Sequence, residues 1–215
     1  MAAVGLLYVG AILFVNGLFL LGRISPKGAA PLNLFVGCLQ VLTPTFLIFT
    51  AGGDREVIAG AAGLYLFGFT YLWVGLNNLF GWRGEGLGWF SAFVTGCALA
   101  FAAYSGFSVG DWPSAVLWLQ WAALWALFFL LLGLGKTSLG GRSSAGEVGL
   151  AQITGTVCLI QGLITGAIPG LLMLFGLWEN NAVTLTAVAV TGAANLLFAA
   201  PLSRWLVAAA PAERG

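Results

Sequence analysis

The chain has 215 residues, of which 60% are hydrophobic and 7% charged, with a net charge of +1. A soluble domain carries about 25% charged residues, so this chain cannot cover itself with polar surface and reads as an integral membrane protein. The near-zero net charge argues against nucleic acid or any strongly charged partner.

A spanning helix needs about 20 apolar residues, and seven such stretches follow one another. The first, 2–21, has no positive n-region and no cleavage site, so it reads as a span and not as a signal peptide. The Arg23-Ile-Ser-Pro-Lys27 turn ends it. The second, 31–51, contains Pro44 as a kink. Asp54-Arg55-Glu56 leads to the third, 57–80. Gly81-Trp-Arg-Gly-Glu-Gly86 turns the chain into the fourth, 88–107. After Ser108 to Asp111 comes the fifth, 113–134. A Gly/Ser-rich loop, 135–146, carries Lys136 and Arg142. The sixth, 147–177, is longer than one span needs and is expected to be tilted, kinked at Pro169 or partly interfacial. The seventh, 182–207, holds Pro201 and Arg204 near its end. The expected fold is an all-α bundle, a single transmembrane domain over residues 1–215.

Charge orients it. With the N-terminus outside, Arg23, Lys27, Arg83, Lys136, Arg142, Arg204 and Arg214 fall inside and only Arg55 falls outside. The C-terminus is then cytoplasmic.

Residues for catalysis are missing. There is no His, and Cys38, Cys97 and Cys158 stand alone in apolar segments, which leaves no zinc or haem ligand set and no base for a nucleophile. Asp and Glu all fall in loops or at span ends, so no buried carboxylate pair suggests a proton relay. Gly133-Leu-Gly-Lys-Thr137 lacks the spacing of a phosphate-binding loop. No enzyme activity and no cofactor are expected. The polar residues inside spans are neutral: Asn16, Asn33, Gln40, Thr70, Asn77, Asn78, Gln120, Gln152, Gln161 and Asn195. Each also suits a bond to a neighbouring helix. Gly63 and Gly68, and the face of Gly162, Gly166 and Gly170, suit close helix approach or room for a narrow lumen.

Three stripes stand out. Leu6, Val9, Leu13 and Asn16 step along one face of the first helix, and Phe67 and Tyr71 lie four apart on the third. Trp118, Trp121 and Trp125 share a face of the fifth. Membrane tryptophans usually sit at the interfaces, and a buried indole N–H wants a partner, either another side chain or a passing solute. Each stripe alone suits packing. Together they suit a narrow slot walled by flat rings, which would pass small, planar, neutral solutes such as urea or an amide; charged rings would be expected for ions.

The sequence resembles the bacterial urea and short-chain amide channel family. The likeness rests on Leu6-Leu-Tyr-Val-Gly10, Asn16-Gly17, Phe35-Val-Gly37 and Leu66-Phe-Gly-Phe-Thr-Tyr-Leu72. It continues through Asn77, Phe80-Gly81, Gly110-Asp-Trp112, the three tryptophans, Gly162, Thr165 and Ile168-Pro169. The resemblance implies a six-helix protomer with its own pore, a hexameric ring in the bacterial inner membrane, and passive flow of solute. It also implies pore-lining roles for Leu6, Val9, Leu13, Phe67, Tyr71, Trp118, Trp121 and Trp125. Gln161 stands where urea channels of this family have a glutamate, and it is expected to offer hydrogen bonds to solute without titrating. The loop histidines tied to acid gating are absent, which favours the amide branch without an acid gate. The seventh span is extra and is expected at the periphery or in the centre of the ring. The alternative reading is an ion-coupled secondary transporter of small amides, which would need an ion site at broken helices.

Overall fold

A helix begins where its first free N–H groups find acceptors, and four short polar side chains do this here, among them Asn181, whose Oδ1 accepts from the Thr184 N–H at 2.9 Å. Ser25 Oγ accepts from the Gly28 N–H at 3.1 Å, with Pro26 in the first helical position. Asp54 accepts from the N–H groups of Glu56 and Val57. Asp111 accepts from the Ser114 N–H and hydroxyl. Gly81 and Gly110, at φ +69° and +76°, close the preceding helices in the left-handed conformation that favours glycine.

The computed structural model describes residues 2–139 and 148–208. Seven helices there have the length and composition to cross a membrane. They are α1 (Ala2–Leu20), α2 (Pro26–Thr50), α3 (Arg55–Phe80), α4 (Glu85–Val109), α5 (Trp112–Gly133), α6 (Leu150–Leu174) and α7 (Ala182–Ala208). No strand occurs among the described residues. The expected bounds need two corrections. α2 begins at Pro26 and not at Pro31, because the Ser25 cap and Pro26 start it a turn and a half earlier. Pro31 only withdraws one N–H near the exposed end, where water can serve the Lys27 carbonyl. α6 is shorter than 147–177 and accommodates Pro169 with a π-helical stretch, Gly162–Ala167. The expected start at Glu147, residues 140–146 of the loop with Arg142, and Arg214 lie outside the described residues.

The helices run alternately up and down. At one end, Arg23 Nη2 donates to the Leu206 carbonyl, joining the α1–α2 turn to the end of α7. At the other, Asn180 Nδ2 donates to the Gly110 carbonyl at 3.0 Å, joining the α6–α7 and α4–α5 turns. Small residues let the backbones meet. A Cβ on Gly88 of α4 would overlap the Gly133 backbone of α5. One on Gly68 of α3 would lie 2.9 Å from the Gln40 carbonyl of α2, the oxygen that Pro44 leaves without its helical N–H. One on Gly10 of α1 would overlap the Ala167 backbone and lie 2.6 Å from the Gly162 carbonyl of α6. The glycine face of α6 thus seats α1, with Gly166 against Gly10 and Gly170 against Leu7.

α7 leans on α5 and α6. Gln120 Nε2 donates to the Val188 carbonyl at 3.0 Å, Asn195 Nδ2 to the Val157 carbonyl at 3.2 Å, and the Ser203 and Thr156 hydroxyls meet at 2.7 Å. The outward faces carry large apolar side chains, Phe49, Phe107 and Leu197 among them, suited to lipid or to a neighbouring subunit.

Candidate functional site

Three cavities lie end to end inside the bundle. The first, about 420 Å³, opens among the ends marked by Ala2, Glu56, Asp111 and Met173, and its inner wall includes Leu6, Val9, Phe67, Trp118 and Trp121. The second, about 30 Å³, lies among Leu13, Asn16, Phe67, Tyr71, Trp121 and Trp125. The third, about 250 Å³, opens at the opposite end among Asn16, Phe19, Asn77, Asn78, Trp82 and Leu132. Phe67 and Trp121 are shared by the first and second. Asn16, Val74, Leu87 and Phe128 are shared by the second and third. The middle space has room for one or two water-sized groups.

Nine of the ten residues singled out from the sequence therefore face this line of cavities: Leu6, Val9, Leu13 and Asn16 from α1, Phe67 and Tyr71 from α3, and Trp118, Trp121 and Trp125 from α5. Gln161 does not. It is fully buried between α5 and α6, where its Nε2 donates to the Gln120 carbonyl at 3.0 Å, and it lines none of the three.

The rings are not parallel walls. Phe67 is inserted into the tryptophan row, 4.9 Å from Trp121 at 88° and 4.8 Å from Trp125 at 56°. Trp118 meets Trp121 edge to face at 5.1 Å and stacks on Phe101 at 4.7 Å. Edge-to-face pairs set the positive rim of one ring on the negative face of the next, which holds each ring by its neighbours.

The buried indole N–H groups find protein partners. Trp121 Nε1 donates to Thr165 Oγ1 at 2.9 Å, and Trp125 Nε1 donates to Thr70 Oγ1 at 3.3 Å. Each hydroxyl donates in turn to its own helix, to the Gln161 and Leu66 carbonyls. Of the two partners the sequence leaves open, another side chain or a passing solute, these two N–H groups take the side chain. The signal for it was the threonine four residues after Gln161 and the one beside Tyr71, since threonine readily bonds the carbonyl four residues back.

The other polar groups on the middle cavity are the Tyr71 hydroxyl, the Asn16 amide and the Ser91 hydroxyl, which donates to the Leu87 carbonyl at 2.8 Å. Asn16 is held by Asn33, each donating Nδ2 to the other's Oδ1 at 3.0 and 2.7 Å. Asn33→Leu should cost about 1–3 kcal/mol by leaving Asn16 unpaired. Replacing both with leucine should cost less than the two single changes summed, read by thermal unfolding in detergent. In the third cavity, Asn77 Oδ1 and Asn78 Nδ2 are buried without a hydrogen-bond partner among the described residues. An unmet acceptor and donor in an apolar surrounding want water or solute.

Residues 1–177 match the model of the AmiS/UreI family of transporters. A protein of Mycolicibacterium smegmatis named as an amidate substrates transporter is 50% identical over 208 residues, covering 97% of this chain and 92% of its own. A Rhodococcus erythropolis protein named as transporter protein AmiS2 is 46% identical, covering 97% and 94%. The urea channel of Helicobacter pylori in its closed state superposes with a TM-score of 0.69 at 30% identity, over 83% of this chain and 100% of that one.

Proposed function

The chain belongs to the AmiS/UreI family of transporters, and on that premise we propose that it is a passive channel for small aliphatic amides and urea. The observation that carries this reading is the line of three cavities, pinched at Phe67 and Trp121. A solute enters the first cavity, sheds part of its water and passes between Val9, Phe67 and Trp121. It exchanges hydrogen bonds with the Tyr71 hydroxyl and the Asn16 amide, then with Asn77 and Asn78. Neutral planar amides replace their few water contacts there. An ion loses far more hydration than this apolar, aromatic neck returns, so ions are excluded. The amide is the preferred solute, since the half-identical relative is named for amidate substrates and aligns over almost the whole chain.

The protomer sits in the bacterial inner membrane with its N-terminus outside, the orientation favoured by the inward bias of Lys and Arg. The resemblance to hexameric channels supports a ring of six, each protomer with its own route, with α7 on the flank of α5 and α6. Without histidine, no side chain in the chain has an ordinary pKa between about 5 and 8. Urea and acetamide entry into proteoliposomes should therefore be equal at about pH 5 and about pH 8. A route that opens only in acid would contradict the ungated reading.

A further inference from the structure

α7 lines none of the three cavities, yet it is bonded into the helix that carries Trp121. Gln120 and Trp121 are neighbours on α5, so their side chains leave the helix about 100° apart. Trp121 faces the cavities, and Gln120 faces α7 and donates to the Val188 carbonyl. Gly192 makes room for it: a Cβ there would overlap the Gln120 amide, lying 2.6 Å from its Oε1.

The same residue begins a chain of hydrogen bonds that ends at the constriction. Gln161 Nε2 donates to the Gln120 carbonyl at 3.0 Å. Thr165 Oγ1 donates to the Gln161 carbonyl at 2.7 Å, and Trp121 Nε1 donates to Thr165 Oγ1 at 2.9 Å. Gln161 and Thr165 are fully buried. Gln120 Oε1 and Gln161 Oε1 are buried without a partner among the described residues, so the bonds that the two amides and Thr165 do make are strong in this dry surrounding and fix their geometry. This gives Gln161 a place in the structure that does not involve touching solute.

The alignments follow the same division. The family model ends at residue 177, before α7 begins at Ala182. The Helicobacter urea channel is matched along its whole length by 83% of this chain. The amidate relative aligns with 97% of it, and 3% of 215 residues is too little to leave out a helix of 27.

We propose that Gln120 and Gly192 are positioning residues, through which α7 fixes the Trp121 ring and so sets which neutral solutes pass. The inference rests on the reading of Phe67 and Trp121 as the constriction of the solute route. Its test is the ratio of propionamide to urea entry in proteoliposomes of the full chain, because a ratio does not depend on how much protein has folded. Gln120→Leu keeps the side-chain volume and removes the bond to Val188. Gly192→Ala drives Gln120 out of its seat. Thr165→Val removes the acceptor of Trp121. Each should shift the ratio by about fivefold, the size of one lost hydrogen bond. Gly192→Ala combined with Thr165→Val should shift it no further than either alone. Thr165→Ser, which keeps the hydroxyl, should restore the native ratio.

Unchanged ratios in Gln120→Leu and Gly192→Ala, or lower flux at an unchanged ratio, would reduce α7 to a packing element and overturn the inference. So would complete loss of flux in both while their helix content stays native, since a shifted ring predicts altered passage and not a sealed route. Absence of flux in the native protein would instead strike the proposed function itself.

Discussion

Phe67→Ala should turn a selective route into a leaky one. The Phe67 ring stands between the first cavity and the middle one and touches all three tryptophans of the row. Its removal joins a space of about 420 Å³ to one of about 30 Å³ across a gap that Val9 and Trp121 alone then narrow. Glycerol, bulkier and bristling with hydroxyls, should pass the widened neck, and the acetamide-to-glycerol ratio should fall by about tenfold or more, equal to about 1.4 kcal/mol of lost discrimination. The same change empties a core position that is 4% exposed, at a cost of about 3–5 kcal/mol. Phe67→Leu should fall between. Stopped-flow light scattering on proteoliposomes reads the ratio, and thermal unfolding in detergent reads the stability. An unchanged ratio in folded Phe67→Ala would remove Phe67 from the constriction.

The second large effect concerns α1 and no side chain at all. Gly10 has no space for even one methyl group, because the Ala167 backbone occupies it and the Gly162 carbonyl stands 2.6 Å away. Both obstacles are main chain, so no rotamer change relieves them. α1 would have to move off α6, and Leu6, Val9, Leu13 and Asn16 would move with it off the cavity wall. Gly10→Ala should cost about 3 kcal/mol, the upper part of the range for overpacking, and should depress flux of every solute. Gly96 is the control. It is also helical, but its Cβ would meet nothing within 4 Å, so Gly96→Ala should be neutral or stabilise by up to about 1 kcal/mol. Equal melting temperatures for the two variants would contradict the backbone contact between α1 and α6.

What could be read from the sequence follows from the membrane itself. Span length and apolar content are one-dimensional properties, so the seven spans appear with ends shifted by only a few residues. Helical spacing fixes which side chains share a face, which is why the stripes on α1, α3 and α5 meet along one line of cavities. Spacing does not say which polar groups will pair across helices. Thr165 and Thr70 take the two indole N–H groups from 44 and 55 residues away in the chain. The family resemblance implies that Gln161 offers hydrogen bonds to solute, but a buried amide is as easily spent on a neighbouring carbonyl, and its Nε2 is spent on the Gln120 carbonyl. The early start of α2 is legible in Ser25-Pro26, a cap followed by proline in the first helical position. Part of the seat of α7 on α5 is Gly192, whose role exists only opposite Gln120.

Passive conduction is tested most directly by stopped-flow light scattering on proteoliposomes of the native chain, with no ion gradient, comparing acetamide, urea and glycerol. Fast entry of acetamide and urea with exclusion of glycerol, unaltered when a proton or sodium gradient is imposed, is the expected result. Entry that requires either gradient, or no entry above protein-free liposomes with the protein shown to be folded, would contradict it.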